Sequence, residues 1–122
     1  MSAETLRQLH AARMAGDLAA MTRLFAAEGR FEIRGASADK PIAISATSLA
    51  EFRPWLAMLV KVFRLSDYQL ISTISEAGHV AARWRANIAS KVTGSTVPTE
   101  LIDLVTMRDG LIVEYCEFFV PR

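Results

Sequence analysis

Hydrophobic spacing changes twice along this chain of 122 residues, from a helical period to a period of two. From Ala3 to Met14 the positions Leu6, Leu9 and Arg13 or Met14 recur as on one face of a helix. Gly16-Asp17 then supplies a stop and a new N-cap. A second helix is predicted over Leu18–Ala27, with Leu18, Met21, Leu24 and Phe25 on one stripe and Gly29 at its end. Arg30-Phe31-Glu32-Ile33-Arg34 alternates charged and apolar residues as a half-buried strand does, and Gly35–Pro41, rich in turn formers, reads as a loop. Ser48-Leu49-Ala50-Glu51 is a capping box that opens a third helix running to about Phe63, with a bend expected near Trp55 because Pro54 lies beyond the first turn.

After Leu65 the period is two. Tyr68–Ser75, His79–Ser90, Glu100–Arg108 and Leu111–Val120 read as strands joined by Glu76-Ala77-Gly78, by a longer loop through Gly94 and Pro98, and by Asp109-Gly110. Helices first and adjacent strands last predict an α+β layer fold, three helices of the N-terminal half packed on one face of a curved sheet. Alternation in the last three strands sorts their side chains. One face takes Ala81, Arg83, Arg85 and Asn87, with Leu101, Asp103, Val105 and Met107, and with Val113, Tyr115, Glu117 and Phe119. The other takes Val80, Ala82, Trp84, Ala86 and Ile88, with Ile102, Leu104 and Thr106, and with Ile112, Glu114, Cys116 and Phe118. So large an apolar face needs a cover, either the helices or a second copy of the chain, and the pattern alone does not choose.

Composition narrows the partners. With 52 % apolar and 22 % charged residues the chain is globular, and at 122 residues it is expected to be one domain, 1–122. A net charge of +1 offers no field for nucleic acid or an anionic membrane. The lone Cys116 has no intrachain partner, which suits a reducing compartment, and the acidic start Met1-Ser2-Ala3-Glu4 is unlike a secretory signal, so a cytoplasmic protein is expected. No stretch approaches the roughly 20 apolar residues of a membrane span.

The elbow Ala15-Gly16-Asp17-Leu18, Leu24-Phe25 before the first strand, and above all Ile102-Asp103-Leu104-Val105-Thr106-Met107-Arg108-Asp109-Gly110-Leu111-Ile112-Val113-Glu114 resemble the nuclear transport factor 2-like superfamily. Within it, the chain is similar to the SnoaL-like group of polyketide cyclases, ketosteroid isomerases and limonene epoxide hydrolases. The resemblance covers nearly the whole chain and implies a cone: a strongly bent, mixed or antiparallel sheet wrapped round the helices, enclosing an apolar pocket, with dimers through the outer sheet face. Trp84, Ile88, Ile102, Leu104 and Phe118 would then form a homodimer interface. Asp103, Glu117, Arg83 and Arg85 would point inward as candidate catalytic groups, and Tyr115, Asn87, Leu9, Phe31, Met58, Val62 and Phe119 would line a site for a small apolar or amphipathic ligand.

The resemblance also exposes departures. Asp103 falls where ketosteroid isomerases carry the aspartic acid of their oxyanion hole, but the companion tyrosine falls at Leu9 and the general-base aspartate at about Ile33. Glu117 matches the last-strand acid of the epoxide hydrolases, and Arg83 or Arg85 could match their arginine, while Asn87 stands where an acid would be needed in phase with them. Two readings of these residues stay open: a cofactor-free acid–base isomerase, cyclase or hydrolase, or a charge network that only shapes a binding pocket. A dimerisation module is a third. His10 and His79 form no recognisable metal or nucleophile pair and read as structural, and no cofactor or metal is expected.

Overall fold

The computed structural model describes residues 2–37 and 40–122. Helix α1 spans Ser2–Ala15 and α2 Leu18–Thr22; between them Gly16 takes φ +71° and the Asp17 side chain accepts the Ala20 N–H at 3.0 Å. Strand β1 is Phe25–Ser37, β2 Lys40–Ser48, α3 Leu49–Val62, β3 Phe63–Glu76, β4 His79–Ser90, β5 Thr96–Arg108 and β6 Leu111–Pro121. The Ser48 hydroxyl caps α3 by accepting the Glu51 N–H at 3.1 Å, as the capping box predicts, while Glu51 reaches back to the Thr47 N–H at 2.8 Å.

The six strands form one open sheet in the order β2-β1-β6-β5-β4-β3. All neighbours are antiparallel except β1 and β6, so the sheet is mixed and its last four strands are the predicted meander. Register irregularities interrupt β1 between Glu28 and Phe31, β3 between Ser66 and Gln69, and the β5–β6 ladder between Thr106 and Met107. Such interruptions bend strands.

The first half differs from its sequence reading. The second helix ends at Thr22, not Ala27, because β6 captures the chain: Ile112 N–H donates to Leu24 C=O at 2.9 Å, and Phe25 pairs with Ile112. The predicted loop Gly35–Pro41 is mostly a continuation of β1 and the start of β2, with Ala38 and Asp39 outside the described residues. Strand β2 went unread although Ile42, Ile44 and Ala46 alternate, since Pro41 at its start suggests a turn.

The faces differ as well. Ala82 is the register partner of Asp103 and Trp84 that of Leu101, so it is Val80, Ala82, Trp84 and Ala86 that share the helix-covered face with Asp103 and Glu117. Arg83, Arg85 and Asn87 lie on the opposite face. An irregularity at Val113 also turns Ile112 inward, where it is fully buried. Helices α1, α2 and α3 cover this inner face with Leu6, Leu9, Met21, Phe52 and Leu56, and Phe31 stacks on Phe52 with ring centroids 5.3 Å apart.

Trp84 is therefore core, not interface, and Ile88 follows its phase. On the outer face Ile102, Leu104 and Phe118 remain 43 %, 46 % and 38 % exposed. Beside them an open groove of about 570 Å³ runs past Leu104, Cys116, Glu114 and His79. Among the described residues no helix is long and apolar enough to cross a membrane.

Candidate functional site

Strands β5 and β6 place two acids directly opposite each other: Asp103 and Glu117 are register partners on the inner face, and both are buried. Like charges in this position destabilise a sheet unless they are answered. The answer comes from α1, whose buried stripe runs Leu6, Leu9, His10, Arg13. His10 and Arg13 are one helical turn apart, project to the same side, and meet one acid each.

His10 Nε2 lies 2.6 Å from Asp103 Oδ2, with the two side chains 2 % and 0 % exposed. Trp84 Nε1–H, which can only donate, reaches the same oxygen at 3.1 Å. Against an ionised Asp103 the His10 Nε2 also donates, and Nδ1 then accepts the hydroxyl proton of Tyr68 at 2.8 Å. Tyr68, His10 and Asp103 thus form a continuous hydrogen-bonded chain from β3 through α1 to β5. The imidazole packs on Trp84 at 4.4 Å and edge-on to Tyr68 at 5.5 Å, which fixes the ring plane. The second carboxylate oxygen, Asp103 Oδ1, is buried and has no hydrogen-bond partner among the described residues.

The other half is an ion pair. Arg13 Nη1 donates to Glu117 Oε1, the Tyr115 hydroxyl donates to the same oxygen at 2.9 Å, and the guanidinium lies 5.5 Å from the Trp84 ring centre. Arg13 Nε has no hydrogen-bond partner among the described residues. Burial pushes the Glu117 carboxyl above its ordinary 4.5; Arg13 pulls it back, and the Asp103 charge across the ladder pushes it up again. Burial, with the charges of Asp103 and Glu117, drives the Tyr115 phenol well above its ordinary 10.0, so it remains a donor. Burial works against the Arg13 charge, but Glu117 outweighs it and Arg13 stays a cation.

Of the residues singled out from sequence, Asp103, Glu117 and Tyr115 meet inside. Leu9 and Phe31 are core beside them, and Met58, Val62 and Phe119 are half-buried. Arg83 and Arg85 do not point inward: on the outer face they share Glu100, at 2.5 Å from Arg83 Nε and 3.7 Å from Arg85 Nε. Asn87, also outside, donates to Asp67 at 2.8 Å. The side chains that do answer the acids, His10 and Arg13, come from the helix and not from the neighbouring strand. Sequence reading placed His10 as structural and Arg13 as an alternative to Met14; the spacing 6, 9, 10, 13 marks both as facing inward. Tyr68 and Trp84 were also missed as site residues. Among the described residues no three His, Cys, Asp or Glu side chains are grouped as metal ligands would be.

The raised Glu117 carboxyl has a pH consequence. Between 4.5 and its higher folded value the native chain holds a proton that the unfolded chain has released, so its contribution to stability is complete below 4.5 and is lost as pH rises through the folded value. Urea midpoints from pH 4 to 8 should therefore fall in the native chain relative to Glu117→Gln; parallel pH profiles would show that Glu117 is unshifted.

Residues 6–115 match the family model of the SnoaL-like domain. No curated protein matches the chain. Among solved structures, an isomerase candidate from Bacillus subtilis is 24 % identical, over 97 % of this chain and 85 % of that one, with a TM-score of 0.82. A protein of ketosteroid isomerase-like fold from Catenulispora acidiphila, solved with trimethylamine, is 16 % identical over 96 % and 85 %, TM-score 0.79. A candidate SnoaL-like polyketide cyclase from Jannaschia is 16 % identical over 97 % and 84 %, also at 0.79.

Proposed function

From the premise that this chain belongs to the SnoaL-like domain family, we propose that it is a cofactor-independent enzyme of the isomerase or cyclase type. It moves a proton on a small apolar or amphipathic carbonyl compound. One observation carries this reading: a buried histidine is held at 2.6 Å by a buried carboxylate whose second oxygen has no partner. A carboxylate in that place orients the imidazole and supports the imidazolium formed when the ring takes a proton. The unpartnered Oδ1 leaves Asp103 capacity to accept a further polar group.

The departures from ketosteroid isomerases fit a different division of labour. Leu9 and Ile33 supply neither the tyrosine nor the base of those enzymes, whereas His10, the residue after Leu9, reaches Asp103 directly. In this chain His10 is the base and Asp103 its positioning residue. Glu117, held by Tyr115 and Arg13, keeps a second charge fixed beside that pair.

The outer face is read as the seat of a second copy. Ile102, Leu104 and Phe118 form an exposed apolar row flanked by the Arg83, Arg85 and Glu100 charges, the composition of an interface core with a polar rim.

Two tests follow from these readings. A panel of steroid and terpenoid ketones, polyketide-like aromatics and amphipathic keto acids is screened for a raised melting temperature, and those that bind are followed for deuterium uptake from D₂O. Asp103→Asn should keep binding and lose turnover by about 10²–10⁴-fold, the usual worth of a positioned acid–base group; undiminished uptake would overturn the assignment. Sedimentation at micromolar concentration should give a dimer that Leu104→Asp dissociates, and a wild-type monomer would remove the second copy.

A further inference from the structure

Between α1 and β3 lies a groove of about 370 Å³, lined by Arg7, Ala11, Met14, Tyr68 and Leu70. Its size is within the range of small-molecule sites. Tyr68 joins it to the buried cluster, because the residue that lines the groove also hydrogen-bonds His10 Nδ1 at 2.8 Å. We propose that this groove binds the substrate, a small anionic amphiphile, and that the Tyr68 hydroxyl is the group that exchanges a proton with it. This rests on the reading of His10 and Asp103 as the proton-accepting pair.

The chemistry of the lining sets the ligand class. Ala11, Met14 and Leu70 offer an apolar wall, and Arg7 is the one charged residue among the five. Among the described residues the acid that pairs with Arg7 is Glu4 at 3.8 Å, with both side chains more than half exposed, an arrangement that binds weakly and leaves guanidinium donors for a ligand carboxylate. An anionic head on Arg7 and an apolar body along Met14 and Leu70 would lie across Tyr68. Burial and the Asp103 charge favour the neutral phenol and Arg7 opposes them, so Tyr68 carries a proton to pass inward.

The step balances without a co-reactant. A proton on carbon beside the ligand carbonyl moves to Tyr68 Oη as the tyrosine's own proton moves to His10 Nδ1. The C–H electron pair becomes the enolate, and the imidazolium is held by the Asp103 carboxylate. Reversal at a second carbon returns the proton and completes an isomerisation. His10 itself is 2 % exposed, so a ligand in the groove reaches it through Tyr68 and not directly.

The probe is octanoate, with octanamide as its neutral counterpart, titrated into the labelled full chain and followed by NMR. Octanoate should shift the resonances of Ala11, Met14, Tyr68 and Leu70, and Arg7→Gln should weaken it about tenfold while leaving octanamide unchanged, the effect of removing one charge-assisted contact. Shifts confined to the outer sheet face, no binding at all, or equal weakening of both probes would overturn the groove. Tyr68→Phe should retain octanoate binding and lose deuterium uptake by the ketone substrates; full uptake would remove the role of Tyr68. The two readings fail separately. Octanoate in the groove with Asp103→Asn fully active would sink the acid–base pair alone, and an inactive Asp103→Asn with octanoate bound elsewhere would sink the groove alone.

Discussion

Two carboxyl groups face each other across one rung of the central β5–β6 ladder, on the side of the sheet that the helices cover. Water cannot screen them there, and their mutual repulsion must be met by protein. Helix α1 meets it with two side chains one turn apart, His10 to Asp103 and Arg13 to Glu117. That pairing fixes the rotation of α1 about its axis, since turning the helix would withdraw both partners at once. It also fixes its height, because Leu6 and Leu9 must enter the core at the same time. Trp84 completes the arrangement, donating to Asp103 and lying under both the imidazole and the guanidinium.

Pairing two acids with unlike partners gives the site its asymmetry. Arg13 is a permanent cation and locks Glu117 in an ion pair with a tyrosine donor beside it. His10 can gain and lose a proton, and its two nitrogens point to different groups, one to the interior acid and one to Tyr68 nearer the surface. The Arg13 half is suited to hold charge in place, and the His10 half to move it. An apolar surround of Leu9, Phe31, Phe52 and Trp84 keeps both halves dry, which strengthens each interaction relative to water.

Much of the fold was legible because it is written in periods. The elbow at Gly16-Asp17, the cap at Ser48 and the four-strand meander all follow from local chemistry. What local chemistry could not supply was pairing: the parallel contact of β1 with β6 draws the chain out of helix after Thr22, a long-range event with no local sign. At the site, Asp103 and Glu117 were found because β5 and β6 alternate cleanly. Arg83 and Arg85 were misplaced because both faces of β4 carry plausible patterns, and alternation within a strand does not say which of its faces meets which face of the neighbouring strand. Registering Ala82 against Asp103 moves every β4 side chain to the opposite face. The small Ala82 and Ala86 beside Trp84 are the core signature of that face.

The ring nitrogens of His10 test most directly whether α1 and the acid pair form one proton-handling unit. In a ¹⁵N-labelled sample at neutral pH, Nε2 should carry a slowly exchanging proton bonded to Asp103, and Nδ1 should show the shift of a hydrogen-bond acceptor that moves when Tyr68 becomes Phe. A rapidly exchanging, averaged imidazole signal unaffected by Tyr68→Phe or Asp103→Asn would contradict both the pairing and the chemistry built on it.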